Sequence, residues 1–214
     1  MGKRSKIPIK SKQEIEKMRA AGALASEVLQ ATAAFIAAGR TTGEVDQFAK
    51  DLMEEKKCKS AFYMYRDFPG YTCISMNEEV VHGIGGDRVI VDGDLVKLDV
   101  GIKLQGWIGD NALTVPVGKI NGEQERLLAV TEESLFVAIS HARAGVRLYD
   151  LCASVEDYVT TFGFTVVRDL VGHGVGRQLH EEPQVPNFRP SGKSPVLKAG
   201  MILAIEPMIN AGVG

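Results

Sequence analysis

Apolar residues recur at helical spacing through Ile15, Met18, Ala21 to Ala25, Val28, Leu29, Ala33 and Ile36, and the pattern stops at Gly39. Ser11 stands ahead of it with Glu14 three residues on, the pattern of a capping box, so a long first helix is expected. A second helix is expected from near Thr42, where Val45, Phe48, Ala49, Leu52 and Met53 make one apolar face against Glu44, Lys50, Glu54 and Lys57. The texture then changes. Residues 60 to 77 are aromatic and turn-rich, which predicts a loop feeding a short strand at Cys73 to Ser75. A helix-like stretch at 122 to 143 runs into Ala144-Gly145 as residues 16 to 37 run into Ala38-Gly39. An offset of 106 aligns Leu29 with Leu135, Val45 with Leu151 and Asp51 with Asp157, a weak internal repeat that suits a duplicated helix-helix-strand unit in an α+β fold.

Strict alternation covers Leu95 to Ile102 and again Ile108 to Val115, so Asp92 to Val117 reads as a hairpin. A turn centred on Leu104-Gln105 sets Asp99 opposite Asp110. A turn on Gln105-Gly106 leaves the two acids diagonal neighbours on one face, and only a three-residue turn would part their faces. Paired carboxylates on neighbouring strands repel unless a proton or cation lies between them, so a bound metal is the economical reading; a solvated acidic face is the alternative.

Two further segments add to that reading. Gly172-His173-Gly174-Val175-Gly176 sets a histidine among glycines, where its imidazole can be approached closely. Met201 to Ile205 reads as a buried strand ending at Glu206-Pro207, and an acid there wants a partner. Asp, Asp, His and Glu form an oxygen-rich set with one imidazole, suited to manganese, iron, cobalt or zinc, and two metals could share Asp99 and Asp110. The glycine-rich stretches lack the strand and helix context of dinucleotide or phosphate loops, GxSxG is absent, and Cys73 has no evident base and reads as a small apolar filler. Pro186, Pro190 and Pro195 mark a long irregular loop before the last strand.

Composition narrows the class further. The 214 residues are 45% hydrophobic and 24% charged, average globular usage that excludes disordered, collagenous and coiled-coil chains. A net charge of −2 argues against an electrostatic nucleic-acid binder. Three scattered cysteines give neither a disulfide framework nor a thiolate zinc site and fit a reducing cytoplasm. Seven Lys or Arg in the first nineteen residues are followed by no apolar run of the secretory kind, and no stretch is long and apolar enough to span a bilayer.

The spans IPIKSKQEIEKMRAAG, NEEVVHGIGGDRVIVDGDLVKLDVG, GWIGDNALTVPVG, GHGVGRQLHEEPQVPNF and GMILAIEPM strongly resemble the type I methionine aminopeptidases, pita-bread metallopeptidases, across essentially the whole chain. The resemblance implies one domain over 1-214 with two pseudo-symmetric halves, about 11-110 and 117-214, an antiparallel curved sheet and flanking helices. It implies a divalent metal held by Asp99, Asp110, His173 and Glu206, with Asp110 bridging where two ions bind. It also implies Glu206 as general base, His82 and His180 as substrate contacts, and Tyr65, Phe68 and Cys73 as walls of a methionine pocket. Taken on their own, His82 would be a turn-capping loop residue, His180 a surface residue paired with Glu181 or Glu182, and His141 a cation at a helix C-terminus.

The partners implied are peptide or nascent-chain N-termini with a small second residue, with the ribosome nearby, no membrane, no specific nucleic acid, and a monomeric cytoplasmic enzyme. In this family a further bridging glutamate lies on a strand after the EPM segment, and the sequence reaches Gly214 before it. One tightly held metal in place of two, feeble activity and an open sheet edge are therefore expected. Two other functions remain open: a non-catalytic peptide-binding or ribosome-associated pita-bread module, and an Xaa-Pro aminopeptidase or prolidase-like hydrolase.

Overall fold

A computed structural model describes residues 6 to 212. The chain divides into two compact units: Glu16–Asn121 with Gly176–Leu179, and the segment up to Ile15 with Gly122–Val175 and His180 onward.

The first unit begins with α1 (Lys12–Phe35), whose buried stripe is Met18, Ala21, Ala25, Val28, Leu29 and Thr32. Its start is the expected capping box: the Glu14 carboxylate accepts from the Ser11 amide at 2.9 Å, and the Glu14 amide donates back to Ser11 Oγ at 3.3 Å. The helix stops at Phe35, four residues before Gly39, because Gly39 is needed elsewhere: at φ +90° it turns its amide onto the Ile90 carbonyl. Helix α2 (Thr42–Glu55) opens with a second capping box, Thr41 with Glu44.

Strand β3 (Leu95–Leu104) is the centre of an antiparallel sheet, with β4 (Trp107–Pro116) on one side and β1 (Lys59–Ser60) and β2 (Cys73–Met76) end to end on the other. The alternation in β3 is realised as burial: Val96, Leu98, Val100 and Ile102 are fully buried, while Lys97 and Asp99 lie on the other, half-buried face.

The second unit contains α3 (Gly122–His141) and α4 (Leu148–Thr160). They pack on a core of Leu148, Leu151, Val155, Val159, Phe164, Val166, Val185 and Leu197. Strand β5 (Thr165–Val166) pairs with β9 (Ile209–Asn210). In a separate sheet β6 (Gly172–Gly174) lies between β7 (Glu181–Val185) and β8 (Leu203–Ala204). The expected strand over Met201 to Ile205 shrinks to the two residues of β8, all half-buried, because only Leu203 and Ala204 find partners on β6.

The weak repeat has a backbone counterpart. Gly39 donates to Ile90 O at 2.8 Å, Ile90 to Arg40 O at 2.8 Å and Thr42 to Arg88 O at 2.9 Å; Gly145 donates to Leu197 O at 2.9 Å, Leu197 to Val146 O at 2.8 Å and Leu148 to Pro195 O at 2.9 Å. The helix-entry loop of each unit is thus stitched by the same three bonds to a short antiparallel bridge, Thr41 with Val89 and Arg147 with Val196.

Candidate metal and substrate site

The hairpin turns on Gln105 (φ +49°) and Gly106 (φ +82°), both left-handed, the two-residue turn whose twist matches paired strands. Leu104 therefore closes against Trp107, which pairs Gly101 with Asp110 and Asp99 with Ala112. Asp99 and Asp110 are diagonal neighbours on one face, so of the two same-face registers considered the directly opposed one is not adopted.

Two close approaches fix Asp110. A Cβ on Gly109 would stand 2.2 Å from the Ala21 carbonyl oxygen, so α1 packs against bare backbone there, and the Asn111 amide nitrogen donates to Gly22 O at 3.2 Å. Gly109 and Asn111 share the strand face turned to α1, which leaves Asp110 on the other face with Asp99.

Cys73 pairs with Asp99 across β2 and β3. Burial pushes its thiol well above the usual range, and the negative charges of Asp99, Asp110 and Asp46 push it further, so it stays protonated and neutral. The aromatic loop before it contains a 3₁₀ turn, Tyr65–Asp67, with Met64, Arg66 and Asp67 all at positive φ. Tyr65 and Phe68 are half-buried, and the Phe68 ring lies against Gly70. His82 is exposed at φ +61°. The residue after it is pinned to β2, with Ile74 donating to Gly83 O and Gly83 to Ser75 Oγ, each at 2.9 Å.

In the second unit His173 is 7% exposed. Its Nδ1 lies 2.9 Å from the Gly174 carbonyl, which can only accept, so Nδ1 carries a hydrogen there and Nε2 is the nitrogen turned away toward Glu206. Nε2 is 3.3 Å from Glu206 Oε1. An imidazole nitrogen and a carboxylate oxygen turned to each other at this distance are two donor atoms of the kind a divalent metal takes. The flanking glycines serve the strands and not the imidazole. A Cβ on Gly172 would stand 2.4 Å from Ala204 O and one on Gly174 2.2 Å from Glu182 O, so β8 and β7 close in on β6. The imidazole itself has a bulky neighbour, the exposed His180 ring, edge-on with centroids 4.4 Å apart. The Glu206 carbonyl accepts from the buried Asn187 amide at 2.8 Å.

Sequence reasoning passed over Asn111, Asn187 and Asp46. No local spacing marks them, because each bonds to a residue 19 or more positions away.

A carboxylate pair on a hairpin and a buried histidine facing a glutamate, on this order of elements, define a metallopeptidase: the chain belongs to metallopeptidase family M24, whose model matches residues 16–214. It is 45% identical to methionine aminopeptidase 1 of Bacillus subtilis (strain 168) over 206 residues, 96% of this chain and 83% of that one. A crystal structure of methionine aminopeptidase from Thermotoga maritima superposes with a TM-score of 0.93 at 42% identity, covering 97% of this chain and 84% of that one. The prolidase from Pyrococcus horikoshii gives a TM-score of 0.80 at 28% identity, with only 55% of its length covered. The fold is the pita-bread fold expected from the sequence.

Proposed function

We propose that this protein is a metal-dependent aminopeptidase that hydrolyses the N-terminal methionine from peptides with a small second residue. The observation that carries the reading is the match to methionine aminopeptidases over 96% of the chain. Prolidases match at lower identity and over little more than half their length, which makes the Xaa-Pro reading the weaker one.

Asp99, Asp110, His173 and Glu206 would hold the ion, which when bound supplies Lewis acidity and a water of lowered pKa. Glu206 takes the proton of the attacking water on a carboxylate oxygen and returns it to the leaving amine. The Gly174 carbonyl fixes the His173 tautomer and ring direction. His82 and His180 orient the scissile amide and its carbonyl oxygen. Tyr65 and Phe68 offer ring faces to the methionine side chain, and the neutral Cys73 thiol suits an apolar thioether better than a thiolate would. Nascent-chain N-termini are the substrates in this reading, reached near the ribosome in the cytoplasm by a monomer. Among the described residues no helix is long and apolar enough to cross a membrane.

The test is release of methionine from Met-Gly-Met with manganese, cobalt or iron added, against chelated protein. Turnover that is abolished by chelator is expected. Release from Xaa-Pro peptides only would favour the prolidase-like reading, and binding without turnover the non-catalytic one.

A further inference from the structure

Asp46 sits in the second turn of α2, and its carboxylate reaches forward to the segment that leads into the pocket strand. Oδ1 accepts the Thr72 amide and the Thr72 hydroxyl, both at 2.7 Å, and the Tyr71 amide lies 3.1 Å from each carboxylate oxygen. Thr72 is fully buried, and the next residue is Cys73. The same helix turn holds the loop that carries His82. A Cβ on Gly85 would stand 2.8 Å from the Asp46 Cβ, so that loop rests its backbone on this side chain. Thr42 Oγ1 donates to Gly86 O at 3.2 Å and accepts from Gly86 N at 3.0 Å, and the Gly43 amide donates to Gly86 O at 2.8 Å. The carboxylate therefore ends the aromatic loop at a fixed point, while the Asp46 Cβ, with Thr42 and Gly43, lies under the histidine loop.

We infer that Asp46 is a positioning residue for substrate selection: its carboxylate acts through Tyr71-Thr72 to set where Phe68 and Cys73 stand, and so sets the fit of the substrate's first side chain. Nothing in the bonding around Asp46 brings it to the scissile amide itself. Loss of its acceptors frees the Tyr71-Thr72 segment while leaving α2, the sheet and the Thr42 and Gly43 bonds to Gly86 intact. The inference rests on the proposed methionine pocket.

The experiment compares Asp46→Ala and Asp46→Asn with the parent protein in steady-state kinetics on Met-Gly-Met and Leu-Gly-Met. It also measures amide hydrogen exchange and thermal unfolding without metal. For Asp46→Ala, KM for the methionyl peptide should rise roughly tenfold with kcat changed less than about twofold, and the preference for methionyl over leucyl peptide should narrow. Asp46→Asn, which keeps an acceptor oxygen, should fall between. The Thr72 and Ile74 amides should exchange faster while Val100 in β3 stays protected. Unchanged KM and selectivity, or exchange that rises equally across the chain, would overturn the inference. Should the parent protein release no methionine, the functional reading falls, and the exchange pattern alone decides whether Asp46 tethers the Tyr71-Thr72 segment. If Asp46→Ala does not fold, Asp46→Asn carries the same comparison.

Discussion

Lys10 Nζ lies 2.5 Å from Glu181 Oε2, with the two side chains only 6% and 12% exposed. The neighbouring backbone is tied as well, the Lys10 amide donating to Gly200 O at 2.7 Å. A desolvated ion pair of this kind is costly to break from one side, because the surviving charge stays buried after losing its ion-pair partner. Lys10→Met should therefore lower unfolding free energy by about 3 kcal/mol. The double variant Lys10→Met/Glu181→Leu should recover most of that loss, measured by denaturant titration at fixed protein concentration.

Asp99 and Asp110 on one strand face predict that the empty site is strained by like charge. Asp110→Asn should abolish metal binding detectable by calorimetry and raise stability in chelator. Unchanged metal affinity would remove Asp110 from the ligand set.

Gly109 has no room for a methyl group, since α1 backbone stands where it would go. Neither partner is a flexible side chain that could step aside. Gly109→Ala should cost at least about 3 kcal/mol, the range of severe overpacking, and weaken metal binding in the molecules that fold, because β4 must shift to relieve the clash. A variant with unaltered melting temperature would contradict the close helix-strand contact.

Phe68 is half-buried, so ring removal should report pocket more than core. Phe68→Ala should raise KM for methionyl peptides and relax selectivity toward other side chains. If selectivity holds while stability drops by about 3 kcal/mol, the ring is packing.

Burial raises the thiol pKa of Cys58, Cys73 and Cys152 from the ordinary 9.0, that of Cys152 to about 12. The unfolded thiols ionise first as pH rises, so the folded state binds more protons there and stability falls. This contribution is complete below pH 9 and is lost progressively toward pH 12. At pH 8 the folded protein should react slowly with a chromogenic aromatic disulfide, and all three thiols should react in guanidinium.

The hairpin and its acids were legible because alternation over ten residues has one physical meaning, a half-buried strand. Its register was not, since Gln105 gives no sign that it will take a left-handed conformation. The sequence suggested glycines around His173 as room for the imidazole. Their real use is backbone clearance for two flanking strands, and both uses leave the same letters. Asp46 was illegible because its partners are 25 and 26 residues on and become neighbours only when the chain folds. The repeat was visible as sparse identities, whereas the recurring hydrogen bonds between Gly39 and Ile90 and between Gly145 and Leu197 need no side-chain identity at all.

The pairing of Lys10 with Glu181 also sets an order of events during synthesis. Lys10 leaves the ribosome ahead of its partner, which follows 171 residues later. At ordinary elongation rates that interval is on the order of 10–30 s. Throughout it an ammonium destined for burial waits in water, together with an amide whose acceptor, Gly200, is more distant still. The second unit can close only once Glu181 and Gly200 have been made, so a pause in translating the stretch between would prolong the exposure of the segment around Lys10.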